Sequence, residues 1–259
     1  MTKQVVFALN CDDFVIYKAM VAAAKEVKTA AILQVSPNEA KFFGLKRFTL
    51  LTKNENLPFF LNLDHGRDLT MVKEAISLGF DLVHFDGSNL SWEENIALTK
   101  KIVALAHKKG VLVEGEPQAK DTEPETAAEF VQKTDVDIVA VFVGNRHGIG
   151  ETKERLNFEK LIAIKKAVGS RFLALHGGSG VDENDLRRAI KEKLVAKINF
   201  SSLQRLVYFQ ELKKQLAQYS GEKVYELMEP VFEVMKKEIK KILILSASRR
   251  INFKFYGGV

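Results

Sequence analysis

A single cysteine, Cys11, among 259 residues rules out an internal disulfide and gives no sign of an oxidising compartment. Prolines are scarce too, five in all, and no Gly/Ser-rich stretch divides the chain, which predicts one domain over residues 1–259. No apolar run reaches the length of a membrane span. Val5–Leu9 is broken at once by Asn10 and Asp12, and Ile242–Leu245 is soon followed by Arg249 and Arg250. The first run is also too short for a secretory signal, so the cytoplasm is the expected compartment. Neither Gly-x-Gly-x-x-Gly nor Gly-Lys-Ser/Thr occurs, which argues against a dinucleotide fold and a nucleotide triphosphatase.

Charge of one sign is not in great excess either. Lys plus Arg number 39 against 33 Asp plus Glu, a net +6 spread along the chain. Lys236-Lys237-Glu238-Ile239-Lys240-Lys241 mixes signs as a solvated helix face does. No nucleic-acid partner is expected, while mild basicity suits a phosphorylated small molecule.

What the chain does have is alternation. Short apolar runs at Val5–Leu9, Ala31–Val35, Phe59–Leu63, Leu82–Phe85, Leu112–Val113, Ile138–Val143, Phe172–Leu175 and Ala196–Phe200 read as strands. Helical patterns lie between them, among them Trp92–Lys109, Glu125–Gln132, Asn157–Val168 and Glu183–Glu192; Gly44–Pro58 is the weakest. Eight nearly continuous apolar strands, each followed by a helix, predict a parallel sheet buried on both faces and closed as a (β/α)₈ TIM barrel. A doubly wound open sheet is the alternative. Two further helices, Leu203–Tyr219 and Val224–Leu245, predict an additional C-terminal helical region, with 247–259 an irregular tail.

Polar residues gather where the strands end. Asn10 follows the first, Gln34 and Ser36 the second, Asp64 and His65 the third, Asp86 the fourth, Glu114 and Glu116 the fifth. His147 lies past the sixth, His176 ends the seventh and Asn199 closes the eighth. In a barrel these ends share one face, where such folds build their sites. Three histidines there suit a catalytic divalent metal with an open position, although a strand-end histidine is also a common hydrogen-bonded loop residue. His84, inside a strand, and His107, late in a helix, receive no role. Leu175-His176-Gly177-Gly178-Ser179-Gly180 runs into a helix near Glu183, and its backbone N–H groups with that helix terminus could hold a phosphate; a plain tight turn is the other reading.

Several stretches together resemble the class II ketose-bisphosphate aldolases, the fructose- and tagatose-bisphosphate enzymes of carbohydrate metabolism and glycolysis. They are Leu63-Asp64-His65-Gly66, Phe85-Asp86-Gly87-Ser88, Glu93-Glu94-Asn95-Ile96, Val113-Glu114-Gly115-Glu116, His147-Gly148, Leu175-His176-Gly177-Gly178-Ser179-Gly180 and Lys197-Ile198-Asn199. The resemblance covers about Val5 to Leu206. It implies a lyase with Zn2+ or another divalent ion on His65, His147 and His176, and Glu116 as an alternative or outer ligand. Asp64 would move the C4 hydroxyl proton, leaving an enediolate. Asn10, Gln34, Ser36, Gly148, Gly177, Ser179, Asn199 and Ser202 would bind substrate and phosphate. Relatives are mostly homodimers or homotetramers.

The chain departs from that pattern in places. The mobile glycine-rich acidic loop after the fifth strand is missing: Glu116 runs through Pro117 to Pro124 straight into a helix. The C-terminal phosphate-binding arginine has no counterpart in Val224–Met228, and Ser201 replaces the usual aspartate. Arg67 and Arg146 flank two of the histidines, either as surface residues or as new anion readers. Three functions follow: an active aldolase, a related lyase on another anionic sugar, or a weakened metal- and sugar-phosphate-binding homologue.

Overall fold

Apolar residues on consecutive positions, rather than alternate ones, let a strand bury both faces. That is how β1 (Val6–Asn10), β2 (Ala31–Val35), β4 (Leu82–Phe85), β6 (Ile138–Val141) and β8 (Lys197–Phe200) sit, with every residue buried. With β3 (Phe59–Gly66), β5 (Leu112–Gly115) and β7 (Phe172–Leu175) they pair in parallel, in chain order, and β8 returns to β1 to close a barrel. This computed structural model describes residues 5–55, 59–118 and 120–246. The expected tail 247–259 lies outside them.

Helices connect the strands: α1 (Phe14–Val27), α2 (Pro37–Phe43), α3 (Leu45–Lys53), α4 (Leu69–Ser77), α5 (Trp92–His107), α6 (Pro124–Thr134), α7 (Phe158–Ala167) and α8 (Glu183–Lys191). The (β/α)₈ expectation and the two C-terminal helices, α9 (Ser202–Gln218) and α10 (Val224–Ser246), are as read from sequence. Differences are local. β3 extends to Gly66, which pairs with Phe85, and β5 to Gly115, because Glu114 and Gly115 pair with His84 and Phe85. β6 stops at Val141, two residues early, because Asn145 folds back onto Val143 N–H and Val141 C=O. The weak Gly44–Pro58 stretch holds α3, which buries Leu45, Phe48, Thr49 and Thr52.

Every second strand residue points into the barrel. Val6, Ala8, Ile32, Leu82, Ile138 and Ala174, with Phe60, Leu112 and Phe172, fill one end as an apolar plug. One step further along the same strand faces come Asn10, Gln34, Asn62, His84, Glu114, His176 and Asn199, all buried. The barrel interior is therefore apolar towards the strand starts and polar towards their ends. Outside the sheet, one continuous core joins strands to helices. α10 completes it, laying Val231, Met235, Ile239 and Leu243 on the barrel in a four-residue repeat while Lys240 pairs with Glu26 of α1 at 2.7 Å.

Candidate active site

Asp64 and His65 occupy a β-bulge. Leu63 pairs with Val83 and Gly66 with Phe85, so two residues of β3 face the single residue His84. His65 takes a left-handed φ of 50° there. The Asp64 carboxylate accepts side-chain amides from Asn199 at 3.0 Å, Gln34 at 3.2 Å and Asn10 at 3.4 Å. Burial works against its charge, but His65, His84, Lys197 and His176 outweigh it and hold the carboxyl well below the usual carboxylate range.

Two further carboxylates orient the histidines. Asp86 Oδ2 accepts His65 Nδ1 at 3.0 Å, and Glu114 Oε1 accepts His176 Nε2 at 2.7 Å. These contacts put a proton on each of those nitrogens, so His65 Nε2 and His176 Nδ1 keep their lone pairs. The two lone-pair nitrogens face each other at 3.0 Å. Two neutral acceptors repel at that distance, and a cation between them turns repulsion into ligation. On a tetrahedral zinc with bonds of about 2.05 Å, two nitrogens would stand about 3.3 Å apart. Histidines backed by carboxylates are also the usual outer architecture of metal sites. The donor set fits a divalent metal.

Charge states follow the same logic. Burial lowers the pKa of His176 to about 4 despite Glu114, which keeps the ring neutral. Burial opposes charge on Glu114 as well, yet Lys197, His84 and His176 hold it low; Lys197 Nζ is 2.8 Å from Glu114 Oε2 with both side chains fully enclosed. Asp86 is held low against burial by His65, His84, Ser88 and Arg67.

Ligating atoms of Asp64, His65, His84 and His176 lie within 4.8 Å of one another, as do those of His65, Asp86 and Glu116. Residues 2–250 match the family model of class II fructose-bisphosphate aldolases. The chain belongs to this aldolase family. It is 30% identical over 256 residues to the D-tagatose-1,6-bisphosphate aldolase subunit GatY of Klebsiella oxytoca, across 91% of this chain and 89% of that protein. The crystal structure of the YdjI aldolase from Escherichia coli K12 superposes with a TM-score of 0.85 at 28% identity, over 94% of this chain and 92% of that one. The fructose-bisphosphate aldolase of Campylobacter jejuni, at 20% identity and a TM-score of 0.82 over 96% and 92%, shares the fold. As an aldolase of this class the protein is a lyase, in a family that acts on phosphorylated sugars.

The aldolase places the remaining sequence candidates as follows. His147 stands exposed at the mouth, its ring centroid 5.0 Å from His65 and 5.6 Å from His176; burial of part of the ring lowers its pKa. Glu116 is buried, with Oε2 3.5 Å from His84 Nε2 and 3.9 Å from His65 Nδ1. Ser36 begins α2, its backbone N–H donating to Glu39 at 2.6 Å, and Glu39 also takes Asn10 Nδ2 and Arg205. The Gly177–Gly180 loop does not open onto a free helix terminus, as the sequence suggested: Asp182 caps α8 by accepting from Asn184 and Asp185 N–H. α9 starts at Ser202 with no side-chain cap from Ser201; Ser179 Oγ accepts the Leu203 N–H in its first turn, and Gly178 N–H donates to the Asn199 carbonyl nearby. Arg67 has an exposed side chain, with Nε and Nη2 on Asp86 Oδ2 at 2.9 and 2.7 Å. Arg146 is exposed near Glu154.

Sequence reasoning missed three inward residues: His84, Lys197 and Asn62, which donates to Gln34 at 2.9 Å. A polar residue at an inward strand position amid apolar neighbours was the available signal. The β5–α6 connection, described except for residue 119, is clipped down by Thr122, which exchanges hydrogen bonds with Phe142 at 2.8 and 2.9 Å.

Proposed function

We propose that this protein is a zinc-dependent aldolase that cleaves a phosphorylated ketose, with tagatose 1,6-bisphosphate and then fructose 1,6-bisphosphate as first candidates. The carrying observation is the pair of lone-pair nitrogens on His65 and His176, each backed by a carboxylate, beside the anionic Asp64. In this reading His65, His147 and His176 hold the metal, with Glu116 as an outer or alternative ligand. A cation there would draw charge from the ketone oxygens as the carbon–carbon bond breaks. Asp64 accepts the C4 hydroxyl proton. The amides of Asn10, Gln34 and Asn199 that hold it are the groups expected to meet substrate hydroxyls, so substrate entry would loosen the carboxylate for that transfer. Gly148, Gly177, Ser179, Asn199 and Ser202, with the start of α9, would take one phosphate; Ser36 would lie towards the other end. The same reading places the enzyme in the cytoplasm as a homodimer or homotetramer.

Coupled assays on both bisphosphates, with added zinc and with chelator, test this directly. Chelator-sensitive cleavage of either supports it, and cleavage that survives complete metal removal refutes it. The shortened β5–α6 connection favours a second reading, a lyase for a different anionic sugar. Arg67 and Arg146, both with exposed side chains, are the candidates for its reader.

A further inference from the structure

In a regular strand, neighbours such as Asp64 and His65 would point to opposite faces. Here both reach the same cluster, because the bulge turns the chain between them. The turn needs a left-handed φ at His65, a conformation that non-glycine residues rarely adopt and that persists only when surroundings hold it. It also takes the His65 N–H out of step with the β4 backbone. That N–H finds its acceptor in a side chain instead: His84 Nδ1, at 3.1 Å.

His84 is fully enclosed, and its other nitrogen faces Glu116 Oε2 at 3.5 Å. Its ring lies against those of His65 and His176, with centroids 4.6 and 4.9 Å away. Its Nδ1 also stands 3.6 Å from Asp64 Oδ1. The backbone contact nevertheless requires a lone pair on Nδ1, which leaves the ring proton on Nε2, towards Glu116. One imidazole thus accepts a strained backbone amide of β3 on one nitrogen and turns the other towards a carboxylate just past β5, 3.5 Å away.

We infer that His84 is a positioning residue: its Nδ1 replaces the missing strand hydrogen bond of His65 and so holds the bulge that aims Asp64 and His65 together into the site. The ring neither needs to bind the metal nor to exchange a proton with substrate. The metal readout below rests on the metal centre proposed above; the backbone readout does not.

The test compares His84→Asn, whose side-chain oxygen can stand where Nδ1 stands, with His84→Gln, whose amide reaches towards Glu116, and His84→Met, which keeps bulk but not the acceptor. In the chelator-treated full-length protein, amide hydrogen exchange at His65 is followed by NMR. It should quicken at least about tenfold in His84→Met and His84→Gln, and stay within about threefold of wild type in His84→Asn. Cobalt(II) titration should show affinity falling about 10–100-fold in the first two, with an altered visible spectrum, and recovering in His84→Asn. Unchanged exchange and cobalt spectrum in His84→Met would overturn the inference, as would a folded His84→Asn that fails as completely as His84→Met. Should His84→Met not fold, the Asn and Gln variants decide between the two nitrogens. If wild type binds no cobalt, the proposed metal centre falls, while the exchange comparison still decides the role of His84.

Discussion

Replacing Lys197 by Met tests how the polar end of the barrel is held together. Lys197 and Glu114 are 1% and 0% exposed and their charges are 2.8 Å apart. Methionine keeps the aliphatic bulk, so the main loss is the ammonium, and Glu114 is left as a buried carboxylate with His84 and His176 against it. Breaking a buried pair by removing one partner costs about 3–5 kcal/mol. For a domain of this size each kcal/mol moves the melting temperature by about 2–4 °C, which predicts a drop of about 6–20 °C. Melting curves should be recorded by circular dichroism with chelator present, because a bound metal would add its own stabilisation. Glu114→Gln in the Lys197→Met background should recover part of the loss, since the amide oxygen still accepts His176 Nε2 and no charge remains buried. A coupling of about 1–3 kcal/mol is expected from the double-mutant cycle. A Lys197→Met protein melting within about 2 °C of wild type, or a double variant worse than the sum of the singles, would refute the reasoning.

Asp64→Asn should lower kcat on the cleaved bisphosphate by about 10²–10⁴-fold with little change in fold, measured by steady-state kinetics. Fructose-bisphosphate cleavage by wild type should run at least about a hundredfold below an ordinary turnover of about 10 s⁻¹, because the acidic loop is missing; Glu123→Ala should not change it, Glu123 being exposed and paired with Lys160 at 2.8 Å. Gly148→Ala, at φ 101° with open space around its Cβ, should cost about 1–2 kcal/mol in urea denaturation. Gly177→Ala should cost more and weaken metal binding, because its Cβ would meet the Arg146 carbonyl oxygen at 1.8 Å, next to His147. Asp185 accepts the Arg155 fork at 2.8 and 2.9 Å and the Leu156 N–H at 2.9 Å, which together outweigh burial and lower its pKa. A carboxylate lowered in the folded state stabilises it above the unfolded pKa of about 3.9 and loses that contribution as pH falls through the folded value. Urea midpoints of wild type should therefore drop more steeply than those of Asp185→Asn as pH falls below about 4.

Most of this architecture is legible in the sequence because burial on both strand faces leaves a plain record: short apolar runs, each closed by a polar side chain. That pattern located all eight strands and brought Asp64, His65, Glu116, His176 and Asn199 to one mouth. It failed where a single residue obeys two rules. His84 sits among Leu82, Val83 and Phe85, and an apolar neighbourhood says only that it is buried, not which way it points. The two-to-one pairing opposite it depends on a backbone turn at His65 that no residue type announces. Lys197 reads as a strand-edge lysine until β8 closes against β1 and leaves it beside Glu114. Asp182 was read past because a cap and a loop residue look alike in sequence.

The closure of β8 on β1, and of α10 on α1, joins the two extremes of the chain. Residues 6–27 wait for partners at 197–243, so the contacts of β1 and α1 are completed only after α10 has been synthesised. Until then the nascent chain carries an open parallel sheet with two unsatisfied edges and an α1 whose Lys18 and Glu26 side still lacks its covering helix. Such an intermediate has the features that invite edge pairing between chains. Folding should consequently be slow for the chain's length, dominated by one late long-range event. A truncation that removes α10 would expose this, yielding aggregated protein even though every strand and every candidate site residue is still encoded.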